Sequence, residues 1–332
     1  MGLKFRGSGN LLLLDGIALS LSGRLLEASF DPEALSARAE QRLERTPDDP
    51  FAILELCTLR AAFTKDRATV QPQLAKLYRQ GLAASIQRGI PKDQPPRSIF
   101  QRSLFESALA SAEAASGSEQ RSLLMEAREL APDDAAFVQA QAGLLLLYQA
   151  DRAATLRELE VLSSRASDRR GEFKDAGSTL PVAAYVLWRR AGLAETPAEQ
   201  VALWQQLLLD HPDAVVLQQT ARELAHAKIA GLIEQHGATV YAAIEQRAAA
   251  ERAEAGDDSQ RLQRVGERFP HSAAGAAARA RLLDLAVERG DLATTTDVLG
   301  SAQRADKLSP GLLRRVLEGA RRGGNFGIAR AV

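Results

Sequence analysis

A chain of 332 residues with 45% hydrophobic but only 5% aromatic side chains is built mostly of alanine, leucine, arginine and glutamate, the composition of helices packed closely through small side chains. Its 42 basic residues balance 42 acidic ones, so no net field draws it to nucleic acid or to an anionic membrane. The single cysteine, Cys57, excludes an internal disulfide and a thiolate metal cluster, and no apolar run approaches the ~18 residues of a membrane-spanning helix.

From the N-terminus, Lys4 and Arg6 ahead of Leu11 to Leu14 imitate the basic and apolar regions of an export signal. Asp15-Gly16 breaks that run, which favours a structural reading. Gly7-Ser8-Gly9 has no third glycine and no lysine at phosphate-loop spacing, and reads as a flexible lead. Asp15-Gly16 and Ser22-Gly23 then separate short apolar or alternating runs at hairpin spacing, which predicts a short β-hairpin or meander over residues 1–30. Strands this short cannot bury a core alone and must lean on helices or complete a sheet from elsewhere.

Helix punctuation begins at Asp31-Pro32-Glu33, where a capping carboxylate precedes a proline in the first helical position and an acid in the first turn. It returns at Thr196-Pro197-Ala198-Glu199, whose hydroxyl and carboxylate have capping-box spacing. Apolar residues recur at intervals of three and four, as in Leu123, Leu124, Ala127 and Leu130, or Leu282, Leu283 and Ala286. This pattern predicts about fifteen helices over residues 31–320. Leu217 to Gln235 reads as one long helix without a turn. Residues 89–97, with Pro91, Pro95 and Pro96, and residues 163–179, with Gly171 and Gly177, read as linkers that subdivide the array. The glycine-rich residues 321–332 read as a flexible tail.

Proline-centred turns recur at Thr46-Pro47-Asp48-Asp49, Ala131-Pro132-Asp133-Asp134, His211-Pro212-Asp213 and Phe269-Pro270-His271-Ser272. Proline stops the preceding helix, and Asp or Ser caps the next. Residues Ala280 to Ala302, with Leu282, Leu283 and Ala286, then Gly290-Asp291-Leu292, then Leu299 and Ala302, resemble a tetratricopeptide repeat. Thr295 stands where that family carries a small alanine. Gly143 through Leu146 and Ala150-Asp151 to Leu159 is similar, with Ala150 in place of the turn glycine. The prolines of the four turns stand 85, 80 and 58 residues apart, so the repeats are degenerate. The resemblance implies an all-α fold, a right-handed helical-hairpin solenoid of tetratricopeptide type behind the N-terminal β-hairpin. Arg268 to Ala274 also resembles the repeats of bacterial cell-envelope accessory proteins such as outer-membrane assembly lipoproteins. The strands of residues 1–30 resemble the remnant of a quinoprotein-type β-propeller blade ahead of such repeats. With 7 lysines against 35 arginines the chain suits a GC-rich bacterial genome.

No catalytic, cofactor-binding or metal constellation is legible. His226 and His236 are too far apart along one helix to share an ion, and Glu223 with His226 reads as a surface pair. Asp48-Asp49, Asp133-Asp134 and Asp257-Asp258 each sit between a helix end and a helix start, where capping explains them. Arg189-Arg190, Arg314-Arg315 and Arg321-Arg322 read as solvated helix faces and ends. Tyr185, Trp188 and Trp204 form the candidate partner-binding set, weighed against the buried seam of a helical hairpin. A solenoid leaves one long concave face exposed, so the expected function is a non-catalytic scaffold that binds a protein or peptide partner there. The alternative is the helical portion of a larger propeller-containing envelope or cofactor-binding protein. On sequence alone the location is cytoplasmic, and the family resemblance offers the cell envelope or periplasm as the alternative.

Overall fold

The computed structural model describes residues 10–14, 17–22, 25–63, 67–304, 310–324 and 327. Gly7-Ser8-Gly9, Asp15-Gly16, Gly23 and most of the expected tail lie outside the described residues. The fold is mostly helical, with fifteen α-helices and a few short strands among the described residues. It divides into two compact units, Met1–Gly171 and Glu172–Val332.

In the first unit, β1 (Asn10–Leu14), β2 (Ile17–Ser22) and β3 (Leu25–Phe30) form an antiparallel sheet in that order, with Leu14 opposite Ile17 and Ser22 opposite Leu25. Seven helices follow: α1 (Pro32–Arg45), α2 (Pro50–Phe63), α3 (Arg67–Gln87), α4 (Arg97–Ala114), α5 (Gly117–Leu130), α6 (Asp134–Leu147) and α7 (Arg152–Ala166). Each packs on its successor. Their starts are encoded locally. The Asp31 carboxylate accepts the N–H groups of Glu33 and Ala34, Asp133 accepts from Ala136, and Asp151 accepts from Ala154. Residues 89–97 are a closed connection between α3 and α4, with the Arg97 guanidinium donating to the Ile90 carbonyl at 2.8 Å.

One core cluster of this unit gathers Ile53, Cys57, Leu74, Ala84 and Phe100 from α2, α3 and α4. The Phe100 ring lies so close over Gly81 that a Cβ there would come within 2.4 Å of it, so only glycine admits the aromatic ring. Two buried glutamines tie neighbouring helices: Gln101 donates to the Leu130 and Ala131 carbonyls, and Gln141 donates to the carbonyl and carboxylate of Glu158. The Gln101 amide satisfies main-chain oxygens that the end of α5 leaves without partners, whereas Gln141 reaches the middle of α7.

The strand β4 (Arg170–Phe173) spans the boundary, and the second unit continues with β5 (Ser178–Pro181), α8 (Val182–Leu193) and α9 (Pro197–Asp210). The stretch 163–179 carries the end of α7, the strand β4 and the first residues of β5, and the boundary between the two units falls within it. Alternate burial of Phe173 and Leu180 against exposed neighbours gives those strands their inner face. Next come β6 (Val215–Val216), β7 (Gln219–Thr220), α10 (Ala221–His236), the 3-10 turn Ala238–Tyr241, α11 (Ala242–Ala255), α12 (Ser259–Arg268), α13 (Ala273–Arg289), α14 (Leu292–Arg304) and α15 (Pro310–Arg322).

Here the long helix expected over Leu217 to Gln235 is corrected. Leu217 and Gln218 take left-handed backbone angles, with φ of 50° and 65°, and turn β6 into β7. The turn is held because the Leu217 N–H donates to the Ala176 carbonyl at 2.9 Å. Helix α10 starts afterwards, behind a full capping box in which Thr220 and Glu223 satisfy each other's main-chain N–H groups. At Thr196 the hydroxyl accepts from the Glu199 N–H.

Along the C-terminal helices the contacts skip as well as follow the sequence. Helix α13 packs on α12 and α14 and also on α11 and α15, which sets α11, α13 and α15 side by side. The turn between α13 and α14 uses Gly290 in the left-handed region, φ 72°, with its N–H closing on the Ala286 and Val287 carbonyls.

Candidate functional site

Tyr185 and Trp188 stand one turn apart on α8, and Trp204 stands on α9. Tyr185, 1% exposed, stacks on Phe173 of β4 with centroids 3.7 Å apart and rings 8° from parallel. Its other neighbour is Trp188, tilted at 5.8 Å. The Tyr185 hydroxyl donates to Asp175 Oδ2 at 2.9 Å, and Arg189 pairs with the same oxygen at 3.2 Å. Burial first, and then the Asp175 charge, push the phenol's ionisation far up, so it remains a donor. Trp204, 5% exposed, lies in the core with Val201, Leu207 and Leu208, and Trp188 packs half-buried against that cluster. Tyr185 thus links β4 to α8, while Trp188 and Trp204 belong to the α8–α9 cluster, and Trp188 is the most exposed of the three.

The paired acids serve helix ends and ion pairs. Asp258 caps α12 through Gln260 and Arg261, while Asp257 forms a two-pronged pair with Arg281, both bonds at 2.7 Å. The Arg281 bonds hold the Asp257 carboxyl below its ordinary range. Asp49 accepts from the Phe51 N–H and pairs with Arg42 and Arg88, and Asp134 pairs with Arg169. Glu223, beside His226 in sequence, is occupied by Thr220, whose main-chain N–H and then hydroxyl hold its carboxyl low.

A juxtaposition that the sequence reading missed involves His226. Its Nδ1 lies 3.0 Å from Nε2 of His271, in the turn between α12 and α13. The Tyr241 ring meets His271 edge-on at 6.2 Å, and its hydroxyl donates to Gln205 Oε1 at 2.7 Å. The Gln205 amide in turn donates to the Arg268 carbonyl. His236 is exposed in the last turn of α10, away from this network, and His211 closes α9. Among the described residues no three His, Cys, Asp or Glu side chains lie close enough to hold a metal ion.

A cleft of about 360 Å³ runs between α13 and α15. Leu283, Val287 and Val316 contribute its apolar lining, and Asp284, Glu288, Arg314 and Glu318 its charges. Val287 and Gly319 approach closely, since a Cβ on Gly319 would stand 3.0 Å from Val287 Cγ1. Among the described residues no helix is long and apolar enough to cross a membrane. No protein-family model matches the chain, and no curated protein does.

Proposed function

We propose that the chain is a non-catalytic interaction scaffold, a right-handed tetratricopeptide-like solenoid behind a short N-terminal β-hairpin, which holds a partner peptide or domain on the concave face lined by the first helix of each hairpin. The observation that carries the reading is the alternation in the second unit. Helices α11, α13 and α15 pack side by side, while α12 and α14 separate them in sequence. The first helices of successive hairpins adjoin in this way when hairpins stack. The cleft lies between two of these helices, α13 and α15, with an apolar floor for an anchoring side chain and charges of both signs for the flanking peptide. The occupation of the paired acids as caps and ion pairs adds support, because it accounts for their positions without chemistry.

Alanine at Glu288, Arg314, Glu318 and Arg322 tests the reading, with photo-crosslinking from the cleft compared against crosslinking from Gln260, Gln263 and Arg264 on α12. The expected outcome is a partner crosslinked from the cleft and lost in the alanine variant, with helicity by circular dichroism unchanged. Equal crosslinking from α12, or binding that survives all four substitutions, defeats the proposal.

A further inference from the structure

We propose that the His226–His271 pair is a proton-operated latch, which holds the α12–α13 turn against α10 at neutral pH and releases it on acidification. The inference rests on ring geometry and is independent of the scaffold reading.

The ring centroids are 5.2 Å apart and the facing nitrogens 3.0 Å, so the separation exceeds the nitrogen distance by close to two ring radii. The nitrogens therefore meet nearly head-on, which is the arrangement of an N–H···N hydrogen bond. Two imidazoles ligating one ion would converge at an angle instead. An imidazole pair keeps this bond with no added proton, one ring donating and the other accepting, and keeps it with one added proton in charge-assisted form. With two added protons both facing nitrogens are donors, the bond is gone, and two cations are in contact.

What the bond joins gives its loss a consequence. His226 belongs to α10, whose apolar residues pack with α8, α9 and Tyr241, while Phe269, beside the turn, packs with α11, α12 and α13. Ile244 touches both clusters, and Gln205 bonded to the Arg268 carbonyl makes a second polar tie. Charged groups surround the pair from each element. On α10, Arg222 and Glu223 precede His226 by about one turn, with Arg222 paired to Asp213 before β6 and Glu223 held by Thr220. From α11, Glu245 accepts the Ala273 and Ala274 N–H groups that open α13. At the end of α12, Arg268 pairs with Glu251, and from α13 Arg279 donates to the Gly266 and Pro270 carbonyls. Asp210 and His211 close α9.

The direction follows from linkage. An unfolded chain protonates both rings near the ordinary histidine value of about 6.5. The folded pair resists the second proton, so below that pH the unfolded state binds more protons, and the latch's stabilisation, present above it, is lost as pH falls.

The test follows hydrogen exchange, corrected for intrinsic rates, at the amides of Phe269, Ser272 and Ala276, which donate to the Val265, Phe269 and Ser272 carbonyls. Between about pH 7.5 and about pH 5.5, protection in the native chain is expected to fall roughly tenfold, and the H226Q/H271Q double variant is expected to lack that pH-dependent step. An equal step in the double variant overturns the proposal. The imidazole nitrogens of the native chain, followed by NMR, give a reading that does not depend on the variant folding. Coupled titration in two stages supports the latch, and two independent single-site curves overturn it.

Discussion

Where α2, α3 and α4 meet, the contact is carbon on carbon: Phe100 fills the space over Gly81, with Ile53, Leu74 and Cys57 around it. Where α9 meets the end of α12, the contact is a buried glutamine amide on a main-chain carbonyl, steadied by the Tyr241 hydroxyl. Both units use glutamines in this way, but in the first they tie neighbours in sequence, as Gln101 ties α4 to the end of α5. In the second the tie spans 63 residues and adjoins a histidine pair. Apolar contact is non-directional and indifferent to protons, whereas a hydrogen-bonded joint is directional and fails when one partner is removed or protonated. The first unit should therefore be sensitive to lost volume and the second to lost partners and to acid.

The largest expected effect belongs to the apolar contact. Phe100→Ala should cost about 3–5 kcal/mol, measured by denaturant unfolding, with exchange protection lost in α2, α3 and α4 and retained in α8 to α13. Equal loss in both units would break the comparison, because they would then unfold as one cooperative body. Gln205→Leu should cost about 2–3 kcal/mol, since it leaves the Arg268 carbonyl and the Tyr241 hydroxyl without their partner. Its exchange signature should fall on α9, the 3-10 turn and α12; confinement to α9 alone would show that the polar joint carries no stability. The smallest effect is expected at the surface. The Arg281 bonds hold the Asp257 carboxyl low, so its contribution is present above the ordinary carboxylate range and lost as pH falls through the lowered value. Asp257→Asn should then flatten the acid limb of a stability-versus-pH curve slightly and leave the histidine range unchanged.

Much of the helical architecture was legible because helix starts and stops are local chemistry. Asp31, Asp133, Asp258, Thr196 and Ser272 accept the N–H groups of the helices they precede. Gly290 ends α13 in the conformation a non-glycine residue resists. The start of α10 carried a local signal that went unread, the capping-box spacing of Thr220 and Glu223, but the turn before it was not legible, since Val215 to Glu223 contains neither glycine nor proline. Its turn places Leu217 and Gln218 in left-handed angles that depend on Ala176, a residue from another part of the chain. The polar joints escaped for the same reason. Gln101 and Gln205 look like ordinary solvent-facing positions until the helix whose end they tie is in place, and 45 residues separate His226 from His271. In the aromatic set, Phe173, the ring on which Tyr185 stacks, was missed because its strand was read as linker.

Cys57 is the chain's single thiol, buried between α2 and its neighbours, with burial pushing its ionisation up to about 12 despite the nearby Arg60. Thiolate, not thiol, attacks labelling reagents, so the folded chain is silent to them at neutral pH. Its rate of alkylation becomes a built-in clock for the opening of the first unit alone, and any cysteine engineered onto the surface would carry a probe without competition from the native one.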